Sequence, residues 1–173
     1  MKRILKVVAS SDHAGFKLRK ILVKGLRERG VEVEDLGPDT PDPIDYPDEA
    51  AKVAREVSVS AHAGARAAGS ADVRGLLVCG SGVGMCMAAN KVDGVRAVDA
   101  WSVESARLSR AHNDANVLCL GARLISDADA SAILDVWLAT PFEGGRHAAR
   151  VDKVDHMVDQ MNEPSARDRR HSG

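Results

Sequence analysis

Aromatic residues make up only 3% of the 173 positions, too few to build the base-stacking platforms of single-strand nucleic-acid binders. An excess of either charge is missing too: 24 Lys and Arg stand against 25 Asp and Glu, a formal net charge of −1. A polyanion such as DNA calls for a basic surplus, so nucleic acid is excluded as a partner. Cysteine is sparse. Cys79, Cys86 and Cys119 lie in apolar surroundings without C-x-x-C spacing, which argues against a disulfide framework or a zinc site and for a reducing compartment. No apolar run approaches the roughly 18 residues needed to cross a bilayer. The opening MKRILKVVASSDHAG is broken by Lys6 and ends in an Asp-His pair, unlike a signal peptide. The sequence therefore predicts a cytoplasmic protein with no membrane partner.

What is present is an alternation of short apolar runs with segments of helical period. Residues 4–10 read as a buried strand, 16–29 as a helix closed by Gly30, and 31–37 as an edge strand. A proline-rich loop (38–47) leads into a helix from Pro47 to about residue 63. GSADVR reads as a connector, GLLVCG (75–80) as the most apolar strand, and 94–100 and 116–122 as strands four and five. Ser102 is a plausible N-cap for the helix between them. Helices are predicted over 127–141 and 144–162. Strands alternating with helices imply an α/β protein with a five-stranded parallel sheet covered on both faces. Residues 1–162 form one domain in this reading, and 163–173 a polar, disordered tail. In such sheets ligands bind beyond the carboxyl ends of the strands.

Several strand and helix ends carry chemistry there. SSDHAG (10–15) places Asp12 and His13 after strand one, either to bind and protonate a hydroxylated ligand or merely as an N-cap with a surface His. CGSGVG (79–84) follows strand three. Met85 breaks a dinucleotide fingerprint and no Gly-Lys-Ser/Thr follows, so the nucleotide reading weakens. The glycines still make an anion nest, and a thiol at such a turn can ionise near neutral pH. The competing reading of Cys79 is a buried structural cysteine, the description that fits Cys86 and Cys119. RAHNDANV (110–117) sets His112 at a helix end among Asn113, Asp114 and Asn116. In GGRHAAR (144–150), Arg146 and Arg150 are four apart, placing them on one helical face as a phosphate clamp or a solvated surface.

SDHAG, DYP, CGSGVG, AANK, SRAHNDANVLCLGAR and EGGRHAARV occur in that order and together resemble the type B ribose-5-phosphate isomerase family, which also holds the galactose-6-phosphate isomerase subunits. The resemblance covers about residues 4 to 160. It implies a Rossmann-like three-layer α/β/α sandwich and a homodimer or dimer of dimers with shared active sites. It also implies cofactor-free, metal-free aldose–ketose interconversion of a small phosphorylated sugar. By the same resemblance Cys79 is the base, and His112 the ring-opening acid, assisted by Asp12. Gly80, Ser81, Gly82, Val83 and Gly84 hold the enediolate oxygen, and His13, Arg146 and Arg150 the phosphate. Asn113, Arg123 and Tyr46 line the site. Ser11 and Ser81 stand where many members carry Cys and Thr. Ribose 5-phosphate is the leading substrate, with a tetrose or hexose phosphate such as allose or galactose 6-phosphate, or a non-catalytic binding subunit, as alternatives.

Overall fold

The chain alternates strand and helix as far as α5 in the computed structural model, which describes residues 5–63 and 72–157. The elements are β1 (Leu5–Ser11), α1 (Phe16–Glu28), β2 (Glu32–Asp35), α2 (Tyr46–Ala63), β3 (Asp72–Cys79), α3 (Val83–Ala89), β4 (Ala97–Asp99), α4 (Val103–Asn113), β5 (Val117–Gly121), α5 (Asp127–Ala139) and, after a 3-10 turn (Gly145–His147), α6 (Ala148–Asp155). All pairings are parallel, in the order β2-β1-β3-β5-β4. The α/β fold with its five-stranded parallel sheet is as the sequence predicts, down to β2 at an edge.

Period-two alternation sorts the side chains into two cores. Val7, Ala9, Leu76, Val78, Leu118 and Leu120 face α1, α4 and α5, where Leu22, Leu26, Ile133 and Trp137 are buried. Val8, Leu77, Cys79, Val117 and Cys119 face α2 and α3, meeting Val53, Val57, Met85 and Ala89. Cys79 is thus the last step of β3 on the α2/α3 side. The chain winds from β1 outward to β2, then back across to β3. The crevice between the carboxyl ends of β1 and β3 is the topological switch point, where doubly wound sheets take ligands.

Some boundaries differ from the sequence reading. Asp72–Arg74 belong to β3 rather than to a connector: β1 offers them partners (Leu5, Lys6 and Val7). The Arg74 guanidinium donates to the Leu138 carbonyl at 2.9 Å and to Asp72 at 3.0 Å, so a polar segment becomes a strand. β4 is shorter than predicted, and the Asn90 side chain bonds both main-chain groups of its first residue, Ala97, at 2.8 and 3.0 Å. α5 stops at Ala139, with Thr140 extended ahead of Pro141. Gly144 and Gly145 have φ of 64° and 55°, and the segment tightens into a 3-10 turn before α6 starts. Arg146 therefore sits in the turn and Arg150 in the helix, not on one continuous α-helical face. Ser102 caps α4 as expected, exchanging bonds with Ser105. Residue 4, positions 158–162 and the tail at 163–173 lie outside the described residues.

Gly15 shows how closely the switch point is packed. A Cβ there would lie 2.2 Å from the Val78 carbonyl oxygen, a main-chain atom that cannot step aside. Gly15→Ala is expected to destabilise the fold by about 2–4 kcal/mol, read as a fall in the urea midpoint with unchanged slope.

Candidate active site

Three loops, after β1, β3 and β5, are stitched together at the switch point. Asp12 N–H donates to the Val78 carbonyl at 3.2 Å, Ala122 N–H to Cys79 at 2.8 Å and Arg123 N–H to Gly80 at 3.0 Å. Between them opens a cleft of about 320 Å3, lined by Asp12, His13, Tyr46, Cys79, Gly80, Ser81, Gly84 and Arg123 among others. Eight residues singled out from the sequence therefore converge on one hollow. Gly82 and Val83 complete the loop without lining it.

Cys79 forms part of the floor, 5% exposed, and Gly82 N–H donates to its Sγ at 3.1 Å. Gly82 holds a φ of 83°, and a Cβ there would come 2.1 Å from Asp99 Oδ1, so both conformation and space demand glycine. Burial pushes the Asp99 carboxyl above the usual carboxylate range. α3 has only seven residues, so the loop before it rather than a long helix borders the cleft. Asp12 does not cap α1, whose N-cap is Gly15. Its carboxylate accepts Gly15 N–H at 2.9 Å, tying the turn into α1, and it still lines the hollow. His13 is exposed beside it. The Tyr46 ring closes over Gly84 and the Arg123 guanidinium over Gly80. Cys119 is the structural cysteine expected, fully buried, its thiol pushed well up by burial.

The remaining predicted residues stand elsewhere on the chain. Asn113 and Arg150 line a second hollow of about 300 Å3 beside β4, α4 and α6. His112, in the last turn of α4, stacks on His147 with ring centroids 4.2 Å apart and planes 4° from parallel. Glu143 Oε2 is 3.7 Å from His112 Nε2 and 3.9 Å from His147 Nε2, and Arg146 Nε meets His147 at 3.5 Å. The polar density of RAHNDANV divides by role. Asp114 pairs with Arg96 and Arg110, and Asn116 binds the main chain of Arg96 and Gly94, so both serve the fold. Glu143 and His147 gather around His112 without being predicted from sequence. Their one local signal is the i, i+4 spacing inside EGGRH, masked by the two arginines.

Fold and cleft together define an α/β protein with a ligand-sized hollow at the switch point of its parallel sheet. Comparison with known proteins carries the class to a family: the model described as Ribose/Galactose Isomerase matches residues 7–154, and the chain belongs to that family. It is 43% identical to ribose-5-phosphate isomerase B of Escherichia coli, across 91% of this chain and 99% of that protein. It is 35% identical to D-erythrulose-4-phosphate isomerase of Pectobacterium atrosepticum, across 91% and 97%. Among solved structures, ribose-5-phosphate isomerase B of Mycoplasma genitalium with bound ribulose-5-phosphate superposes with a TM-score of 0.83, at 40% identity over 92% of this chain and 99% of that one. Among the described residues no helix is long and apolar enough to cross a membrane.

Proposed function

We propose that the protein interconverts D-ribose 5-phosphate and D-ribulose 5-phosphate through an enediolate, with Cys79 as the base. The observation that carries this is the Cys79 sulfur on the floor of the cleft, holding a main-chain N–H at 3.1 Å beside Asp12 and Arg123. A proton next to a carbonyl is weakly acidic, so its removal needs a base and a stabilised oxyanion together. The thiolate takes the proton from C2 of the aldose and returns it to C1. N–H groups of the 80–84 loop hold the oxygen charge that forms between. His13 and Arg123 offer the phosphate its first charges, and binding energy spent on that remote group aligns the reacting carbons.

His112, Asn113, Arg146 and Arg150 belong to the same site in this proposal, supplied by a second copy of the chain. Support comes from their placement: none lines the Cys79 cleft of its own chain, and both arginines are exposed. Val83, Met87, Trp101 and Val103, around the start of α3 and of α4, are exposed apolar side chains of the kind a symmetric contact covers.

Incubation with ribulose 5-phosphate in heavy water, with a chelator present, is expected to give ribose 5-phosphate carrying deuterium at C2. No turnover by the purified chain would overturn the assignment. A tetrose phosphate is the second reading, favoured by the 35% identity to the Pectobacterium enzyme. Comparing kcat/KM for tetrose, pentose and hexose phosphates separates the two, since cavity depth rather than motif reads substrate length.

A further inference from the structure

The isomerase function proposed for the Cys79 cleft gives His112 a task but leaves its stacking partner His147, and the carboxylate between their Nε2 atoms, without one. Resting on that function, we propose that Glu143 is the positioning residue for His112, holding its imidazole in a fixed place and plane so that it can open the ring of a cyclic aldose phosphate.

The placement is built in several steps. Glu143 N–H donates to the Ala111 carbonyl at 3.0 Å, clamping the loop after α5 onto the last turn of α4, next to His112. Its carboxylate oxygen then lies 3.7 Å and 3.9 Å from the two imidazole nitrogens. One carboxylate thus reaches two rings. Burial holds His147 below the ordinary histidine range, and the Arg146 charge pushes it the same way while Glu143 opposes them. Stacked 4.2 Å away and 4° from parallel, His147 is a flat plate fixing the plane of His112. On the same helix, Glu104 interacts electrostatically with His112, and Arg107 with Glu104 and Glu143. The three side chains bring potential ligand atoms within 4.8 Å of one another. Yet nearly parallel ring planes keep the in-plane lone pairs side by side rather than aimed at one point, which suits a stacked acid better than a metal site.

Ring opening conserves protons and electron pairs. The anomeric hydroxyl gives its proton to Asp12. The C1–O4 bond breaks with its electron pair going to O4, which takes the proton of His112, and C1 becomes the aldehyde. Ribulose 5-phosphate cannot form a furanose, because its O5 carries the phosphate. It reaches the enediolate without this step.

The test compares the two directions for Glu143→Gln. With EDTA present, turnover of ribose 5-phosphate is expected to fall about tenfold, as a loss in kcat rather than a rise in KM. Deuterium exchange at C1 of ribulose 5-phosphate is expected to stay within about twofold of the parent. Glu143→Asp restores part of the loss. Because the clamp to Ala111 is main-chain, the variant folds, and an unchanged melting temperature verifies it. Equal loss in both directions, or no loss in either, overturns the positioning role. Absence of exchange in the parent protein overturns the isomerase function instead.

Discussion

Replacement of Cys79 by serine is expected to lower kcat by about 10³-fold, ~4 kcal/mol of barrier, in both directions and for deuterium exchange alike. Serine keeps the volume and can still accept the Gly82 N–H, so the cleft survives. What it lacks is an anion: its hydroxyl is far too weak an acid to be a base at neutral pH. KM is expected to change little, because phosphate and hydroxyl contacts come from other residues. The control is Cys119→Ser, which places a hydroxyl in the α2/α3 core at 0% exposure. That variant is expected to lose about 1–3 kcal/mol of stability while the folded fraction keeps its kcat. Undiminished turnover in Cys79→Ser removes the sulfur as base, and the neighbouring carboxylates Asp12 and Asp99 become the groups to examine.

Much of the fold is legible from residues because parallel α/β proteins write their layout plainly. Each strand is a short apolar run, and each helix carries its period. The ends of β1 and β3 show where function sits, since SSDHAG and CGSGVG are too polar or too glycine-rich to be there for the core. What escapes has physical causes. β3 starts at Asp72 because Arg74 finds buried acceptors on a segment distant in sequence, which composition cannot show. At the outer edge of β4 an asparagine side chain, Asn90, stands where a further strand would bond Ala97. The EGGRH segment reads as a continuous helix until the positive φ angles of Gly144 and Gly145 are known. Glu143 is hidden for the same reason: only the folded loop brings its carboxylate to His112. The separation of His112, Asn113, Arg146 and Arg150 from the Cys79 cleft is not derivable from any local pattern. Only the family resemblance, by implying shared sites, gives a reason to expect it.

That separation makes the sharpest expectation available. If the proton base and the ring-opening acid of one site come from different copies, two dead variants can rescue each other. Cys79→Ser alone has no base in either site, and His112→Asn alone has no acid in either. In a mixed dimer under two-fold symmetry, one site collects both defects and the other collects neither. Purified hybrids, separated by two different tags, are expected to show about half the parent turnover of ribose 5-phosphate per dimer. Random co-expression is expected to give about a quarter, since about half the dimers are mixed and each has one competent site. If His112 instead serves the cleft of its own chain, every subunit in the hybrid carries a defect and activity stays at the level of the single variants. A Glu143→Gln subunit paired with Cys79→Ser extends the logic: the restored site has an intact Glu143 beside His112, so it should turn over ribose 5-phosphate at the parent rate. The same hybrid read at C1 of ribulose 5-phosphate reports the Cys79 count alone, and the ratio of the two signals separates base from acid within one assembly.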